Sequence, residues 1–329
     1  MSTSSFFRRS LSLGSASLAA WGLGVSIESF LPRRLPTWYA STGPVEHFDT
    51  SSFPAIEVSF LRSGSVNIPT CIAVRGAPSF APCTITHSAV LIRHPRATFL
   101  YDTGMSAGIG GYLHGQSLFF RKTLANFTFE QSLRDHLRQQ EVPPRNLAFA
   151  LISHLHWDHV SGVPDIQGVP LRVNRVEYEA AKLGLLDENH GLVRSLLGHA
   201  SLDLFDCDGP AYEGFHASRD LFGDGSVVLV PLPGHTRGNT GMFINRSNGS
   251  RLFLLGDAVW VAGNYQWPTT MHPFIWSRVT SDDASACQTL IDLHAFSHRR
   301  PEVSMIAMHD AAAQAAFMQV ETTRQPYAS

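Results

Sequence analysis

Between positions 154 and 159 the chain reads His-Leu-His-Trp-Asp-His, which puts three imidazoles and a carboxylate within six residues. On an extended segment residues i and i+2 point the same way, so His154 and His156 can grip one metal ion. A tight turn after them lets Asp158 and His159 face a second. Imidazole and carboxylate donors without thiolate suit Zn²⁺ and also admit Fe, Mn or Co. The same residue types recur downstream as His235 in Pro233-Gly234-His235-Thr236, Asp257 after Gly256, and His309 before Asp310.

Each of these positions follows an apolar, β-rich run that reads as a strand: 147–153, 227–232, 252–255 and 303–307. Four groups of candidate ligands therefore lie just beyond four strand ends, where α/β folds tend to place chemistry. Residues 88–93 and 98–101 read as two more strands around the turn His94-Pro95-Arg96, with 242–245 and 169–173 as others. Thr128-Phe129-Glu130-Gln131 has a capping-box pattern, predicting a helix with Phe129, Leu133 and Leu137 on one face, stopped at Pro143-Pro144. Helices are also expected over 177–183 and 283–295. Gly108, Gly110, Gly111 and Gly115 punctuate a stretch carrying Tyr112, Leu113, Leu118, Phe119 and Phe120. That stretch reads either as a flap over a pocket or as a loop packed on the core.

H-x-H-x-D-H after an apolar strand resembles the signature of the metallo-β-lactamase superfamily. Pro233-Gly234-His235-Thr236-x-Gly238 is similar to that superfamily's P-G-H-T-x-G turn, Gly256-Asp257-Ala258 to its G-D segment, and His309-Asp310 to its terminal histidine. The likeness covers about 56–316. It implies a four-layered αββα sandwich with two mixed sheets and the site at the sheet edge. It also implies two ions: His154, His156 and His235 around the first, Asp158, His159 and His309 around the second, and Asp257 bridging them. Asp102, in Tyr101-Asp102-Thr103-Gly104, matches a position that orients a ligand histidine. Two such ions can hold a bridging hydroxide at neutral pH and stabilise the oxyanion formed when it attacks a carbonyl, with Asp158 relaying a proton to the leaving group. The flavodiiron branch carries glutamate where this chain has His156, which argues against redox iron.

Residues 153–182 and the ending Met308-His309-Asp310 look like the acyl-homoserine lactonase branch, implying quorum-quenching lactone hydrolysis. Those lactonases carry a tyrosine three residues after the bridging aspartate. Here that position is Trp260, whose indole can donate a hydrogen bond but cannot accept one. Other readings are an organophosphate triester hydrolase, using Tyr265, Trp267, Met271 and Phe274 as an aromatic leaving-group pocket, and a glyoxalase-type thioesterase. A non-catalytic metal-binding or redox module on the same fold is the reading from another class, and occupancy of all seven ligand positions argues against it.

With 329 residues, 44% hydrophobic and 16% charged, the chain can bury a substantial core. A formal net charge of -2 leaves no basic footprint for nucleic acid and favours a small-molecule substrate. Oligomeric state is not legible. Cys71, Cys83, Cys207 and Cys287 form no C-x-x-C pair and read as four buried or half-buried thiols, with a Cys71–Cys83 disulfide as the alternative if the chain is exported. Arg8-Arg9 precedes an apolar, uncharged stretch over 11–27, the layout of an export signal with a twin-arginine-like pair. Periplasmic delivery, or a retained anchor in contact with the membrane, is the expectation; an organelle transit peptide or a cytoplasmic tail are the alternatives. Residues 1–44 are thus expected to be signal or anchor plus linker, and 45–329 the hydrolase domain.

Overall fold

The computed structural model describes residues 31, 34–36, 52–77 and 79–324. The leader pattern with Arg8-Arg9, and most of the linker, lie outside these residues. Leu35 is described, and its backbone N–H donates to Pro268 O at 2.8 Å.

Twelve strands among the described residues form two sheets. The first holds β1 (Glu57–Pro69), β2 (Pro82–His94), β3 (Ala97–Tyr101), β4 (Thr128–Phe129), β5 (Ala150–Ile152), β6 (Leu171–Asn174) and β7 (Leu202–Phe205). The second holds β8 (Arg219–Asp220), β9 (Val227–Pro231), β10 (Thr240–Asn245), β11 (Arg251–Leu254) and β12 (Val303–Ile306). Their orders are β4-β1-β2-β3-β5-β6-β7 and β12-β11-β10-β9-β8. Both are mixed: β3-β5-β6-β7 run parallel and β1-β2-β3 antiparallel, while in the second sheet only β11 and β12 pair in parallel.

Alternation along the strands builds the layers. Ala89, Leu91, Leu100, Ala150 and Ile152 face one core, shared with helical residues such as Leu133, Leu137, Leu192 and Leu196. Their neighbours Val90, Ile92, Phe99, Tyr101 and Leu151 point the opposite way, into a core shared with Leu229, Met242, Ile244, Leu252 and Leu254 of the second sheet. Phe243 and Phe253 stack at 3.8 Å on that sheet's far face, against Leu290, Leu293 and Phe296 of the helix Asp283–Arg299. Three apolar layers between helix, sheet, sheet and helix make the expected αββα sandwich.

Two local expectations are corrected. Thr128 and Phe129 do not open a helix; they pair with β1, where glycine at 64 lets the Thr128 carbonyl approach, and Phe129 is exposed. The helix Leu133–Gln139 begins instead behind Ser132, whose Oγ accepts from Asp135 N at 3.1 Å. Leu133 and Leu137 are buried as anticipated. The glycine-punctuated stretch is largely helical, as Ile109–His114 and Leu118–Thr123, the second capped by Ser117. Leu113 and Phe120 turn inward; Leu118 and Phe119 are exposed. Cys71 and Cys83 are both free thiols, so no disulfide joins them.

Candidate metal centre

β5 delivers Ser153 and His154 at its end, and the single-turn helix Trp157–Val160 then carries Asp158 and His159. β9 runs into His235, β11 into Asp257 and β12 into His309. Two glycines let the His235 turn sit where it does. A Cβ on Gly234, at φ +130°, would lie 2.1 Å from Ala286 N, and one on Gly238 would lie 2.3 Å from Glu177 N. Glu177 is buried and ties the two loops together, accepting from Leu155 N at 2.8 Å and Gly238 N at 2.9 Å. In the sequence Glu177 stands only at the start of an expected helix; its bracing role depends on a contact between distant segments.

All seven expected ligands converge. His154 Nε2, His156 Nδ1 and His235 Nε2 form a triangle with edges of 3.0, 2.8 and 3.1 Å. Neighbouring nitrogens of a tetrahedral zinc site stand about 3.3 Å apart, so the triangle has the scale of a ligand face. Burial pushes His154 and His235 well below the ordinary imidazole range and His156 down to about 4. The three rings are therefore neutral at pH 7, and a triangle of that size has room for one hydrogen at most. The lone pairs that face its centre lack donors, which is the chemistry a cation satisfies.

Beside it, Asp158 Oδ2 lies 3.4 Å from His309 Nε2 and 3.9 Å from His159 Nε2. Asp257 spans both groups: its Oδ2 is 2.9 Å from His309 Nε2 and 3.6 Å from His235 Nε2, and its Oδ1 is 3.3 Å from His159 Nε2. Asp257 Oδ1 and His159 Nε2 are buried and have no hydrogen-bond partner. Burial alone would raise the carboxyls and lower the imidazoles. Their mutual attraction outweighs it, holding Asp158 and Asp257 below the usual carboxylate range and His159 and His309 above the usual imidazole range. Divalent cations would satisfy the same attraction between buried carboxylates and ring nitrogens, and the residues present fit such ions.

Asp102 stands behind His159, as its motif implied. Its φ of +55° turns the carboxylate inward, where it accepts from Ser153 N at 2.7 Å, Ser153 Oγ at 2.9 Å and His159 Nδ1 at 2.8 Å. With Nδ1–H committed to Asp102, His159 presents Nε2 to the centre. Behind His309, Nδ1 donates to Thr86 O at 2.7 Å in the same manner. Three groups of potential donors lie within 4.8 Å of one another: His154/His156/His235, His154/His159/Asp257, and His87/Asp158/His309. His87 belongs to no sequence motif. It sits alone within the long strand β2, with no neighbouring ligand to mark it.

The centre forms the floor of a cavity of about 240 Å³, walled by Ile68, Ile72, Ile85, Phe120, Leu124 and Leu192 among others. Arg278 and Glu188 add one charge of each sign. Trp260 is on the wall with its ring edge-on to His309, centroids 5.4 Å apart; its Nε1 is closed to solvent and has no partner. The aromatic leaving-group pocket of the organophosphate alternative does not form around the cavity, which none of Tyr265, Trp267, Met271 and Phe274 lines. Tyr265 and Met271 are buried, and Tyr265 belongs to the outer core beside the second sheet, while Trp267 and Phe274 are exposed. Ile275 and Val279, one helical turn apart, line the cavity instead.

Comparison with known proteins agrees with this geometry. An N-acyl homoserine lactonase of Bacillus thuringiensis is 26% identical over 178 residues, covering 54% of this chain and 65% of that protein. The chain thus spans somewhat less than two thirds of that relative's length. A probable metallo-hydrolase of Mycobacterium tuberculosis is 26% identical over 271 residues, 78% of this chain and 81% of its own. Among solved structures, an N-acyl homoserine lactone hydrolase with N-hexanoyl-L-homoserine at its catalytic metal centre superposes with a TM-score of 0.60 at 18% identity, covering 84% of this chain and 99% of that one. Residues 85–286 match the profile of the metallo-beta-lactamase superfamily, a span that takes in the ligand motif, the His235 turn and Asp257. With sandwich, ligand order and family profile in agreement, this chain belongs to the metallo-beta-lactamase superfamily.

Proposed function

We propose that this protein is a dinuclear, zinc-dependent hydrolase that opens a lactone or ester bearing an apolar tail. The observation that carries the proposal is the convergence of neutral imidazoles and buried carboxylates on the floor of an apolar cavity. Similarity to N-acyl homoserine lactonases supports the lactone class. Two bound divalent ions would supply an activated water and polarise the carbonyl oxygen.

The chain's own residues do the rest. His154, His156 and His235 would hold the first ion, Asp158, His159 and His309 the second, with Asp257 shared between them. Asp102 fixes the tautomer and tilt of His159. Asp158 turns Oδ2 toward the histidines, which leaves its other oxygen to take a proton from the attacking water and pass it to the departing alkoxide. The indole N–H of Trp260 is an unspent donor beside the centre, and the aliphatic wall excludes water around the tail. The test is a panel of homoserine lactones of graded acyl length, an aryl ester and a phosphotriester, run on metal-loaded and chelated protein. Lactone turnover should rise with acyl length and vanish on chelation. Fully loaded protein that cleaves the phosphotriester and no lactone would refute the reading.

We further propose that residues 1–44 direct the chain out of the cytoplasm and leave 45–329 as the catalytic unit. Replacing Arg8-Arg9 with Lys-Lys should block delivery, because the twin-arginine route reads the arginine pair itself. Unchanged delivery would point to an ordinary secretory signal or anchor.

A further inference from the structure

We propose that His87 is an additional ligand of the second metal position, one absent from the seven-residue set that the superfamily motif supplies. The inference rests on the dinuclear reading above. Strand period two puts His87 on the β2 face that carries Ala89 and Leu91, toward the helices. Its neighbour Thr86 is locked to the terminal histidine from both sides: Thr86 N donates to His309 O at 3.0 Å, and Thr86 O accepts from His309 Nδ1 at 2.7 Å. The backbone of β2 is thereby held against the second position, and His87 is the next residue along it.

The ring is held as firmly. Phe127 packs edge-on at 5.4 Å, Trp157 tilts against it at 5.9 Å, and His309 meets it edge-on at 5.3 Å. Only 7% of the residue is exposed, so its nitrogens need partners inside the protein. A histidine that merely fills a core gives a buried nitrogen to a carbonyl or hydroxyl. His87 Nδ1 has no carbonyl or hydroxyl partner; it faces only Asp158 Oδ2, at 3.3 Å, a long spacing for a hydrogen bond. Asp158 Oδ2 in turn lies 3.4 Å from His309 Nε2. Both spacings are close to the ~3.3 Å between donors sharing one tetrahedral ion. The three ligand atoms all lie within 4.8 Å of one another. A third imidazole there adds a neutral donor to the second ion, which strengthens its retention without adding negative charge.

The test compares the full-length chain with His87→Ala and His87→Gln, each loaded with Co²⁺. Stepwise removal by a competing chelator and the visible absorption of the second ion are followed. Both variants should release the second ion about tenfold more readily or worse, the first ion unchanged, and the second ion's absorption should shift as its coordination number falls. Unchanged retention of the first ion serves as the check on folding. Glutamine can still donate a hydrogen bond to Asp158, so restored retention in His87→Gln alone would make His87 a hydrogen-bonding brace and overturn the proposal. Two ions held equally by all three proteins would overturn it too, with the dinuclear reading intact. A parent chain holding a single ion would overturn that reading itself.

Discussion

Asp102→Asn is the sharpest probe of how the second position is tuned. Position 102 has φ +55°, a conformation asparagine tolerates well, so the change costs little in backbone strain. The side chain keeps its shape and loses its charge and one acceptor. Asp102 Oδ1 takes the Ser153 N–H, while Oδ2 takes Ser153 Oγ and His159 Nδ1. An amide can replace only one of these oxygens. If its NH₂ stands at Oδ2, two donors face His159 Nδ1, and the ring must flip tautomer and turn an N–H toward the ion. If it stands at Oδ1, a buried backbone N–H loses its partner. Either way at least one charge-assisted bond is lost, costing about 2 kcal/mol. At about 1.4 kcal/mol per decade that is roughly thirtyfold in affinity, inside the ~10–100-fold range for groups that brace metal ligands. Competitive titration with a chromophoric chelator should show the loss in the second ion's affinity while the first stays within about threefold. Equal affinities in parent and variant would mean that His159 does not need Asp102, and the account of this site would be wrong.

Three further outcomes follow from the same geometry. Trp260→Phe removes the unpartnered indole donor and keeps a ring against His309, so lactone turnover should fall about a hundredfold, the value of a well-placed oxyanion donor. Small and equal effects on a lactone and an aryl ester would show that the indole points away from substrate. His159 and His309 are held above the usual imidazole range, so ions must displace their protons; second-ion affinity should fall about tenfold per pH unit per proton displaced as pH drops from 8 to 6. The first ion should stay nearly insensitive over that window, because His154, His156 and His235 are already unprotonated; calorimetry in buffers of different ionisation enthalpy would expose the opposite order.

The sandwich and the seven converging ligands were legible because each ligand follows a strand, and apolar runs such as 227–232 and 303–307 announce strands directly. The dense cluster at 154–159 carries its own spacing, and the glycines at 234 and 238 mark turns that only a residue without Cβ can make. Features set by contacts between distant segments were not legible. Thr128-Phe129 satisfies a local capping pattern, yet pairing with β1 overrides it. Glu177 looks like any helix-start carboxylate until Leu155 N and Gly238 N are brought to it. His87 has no local motif, since its neighbours Asp158 and His309 lie 71 and 222 positions away. In 261–274 the aromatic residues were visible, but which of them face the cavity depends on helix phase, and Ile275 and Val279 take that face.

Asp257 is proposed to join two metal positions into one reactive centre, since its Oδ2 lies 3.6 Å from His235 Nε2 of the first position and its Oδ1 lies 3.3 Å from His159 Nε2 of the second. Elemental analysis of the purified parent and of Asp257→Ala, alongside lactone turnover, tests it most directly. The parent should hold about two ions per chain, and the variant should lose dinuclear binding together with nearly all hydrolysis. One ion per parent chain, with full activity retained in Asp257→Ala, would contradict the account.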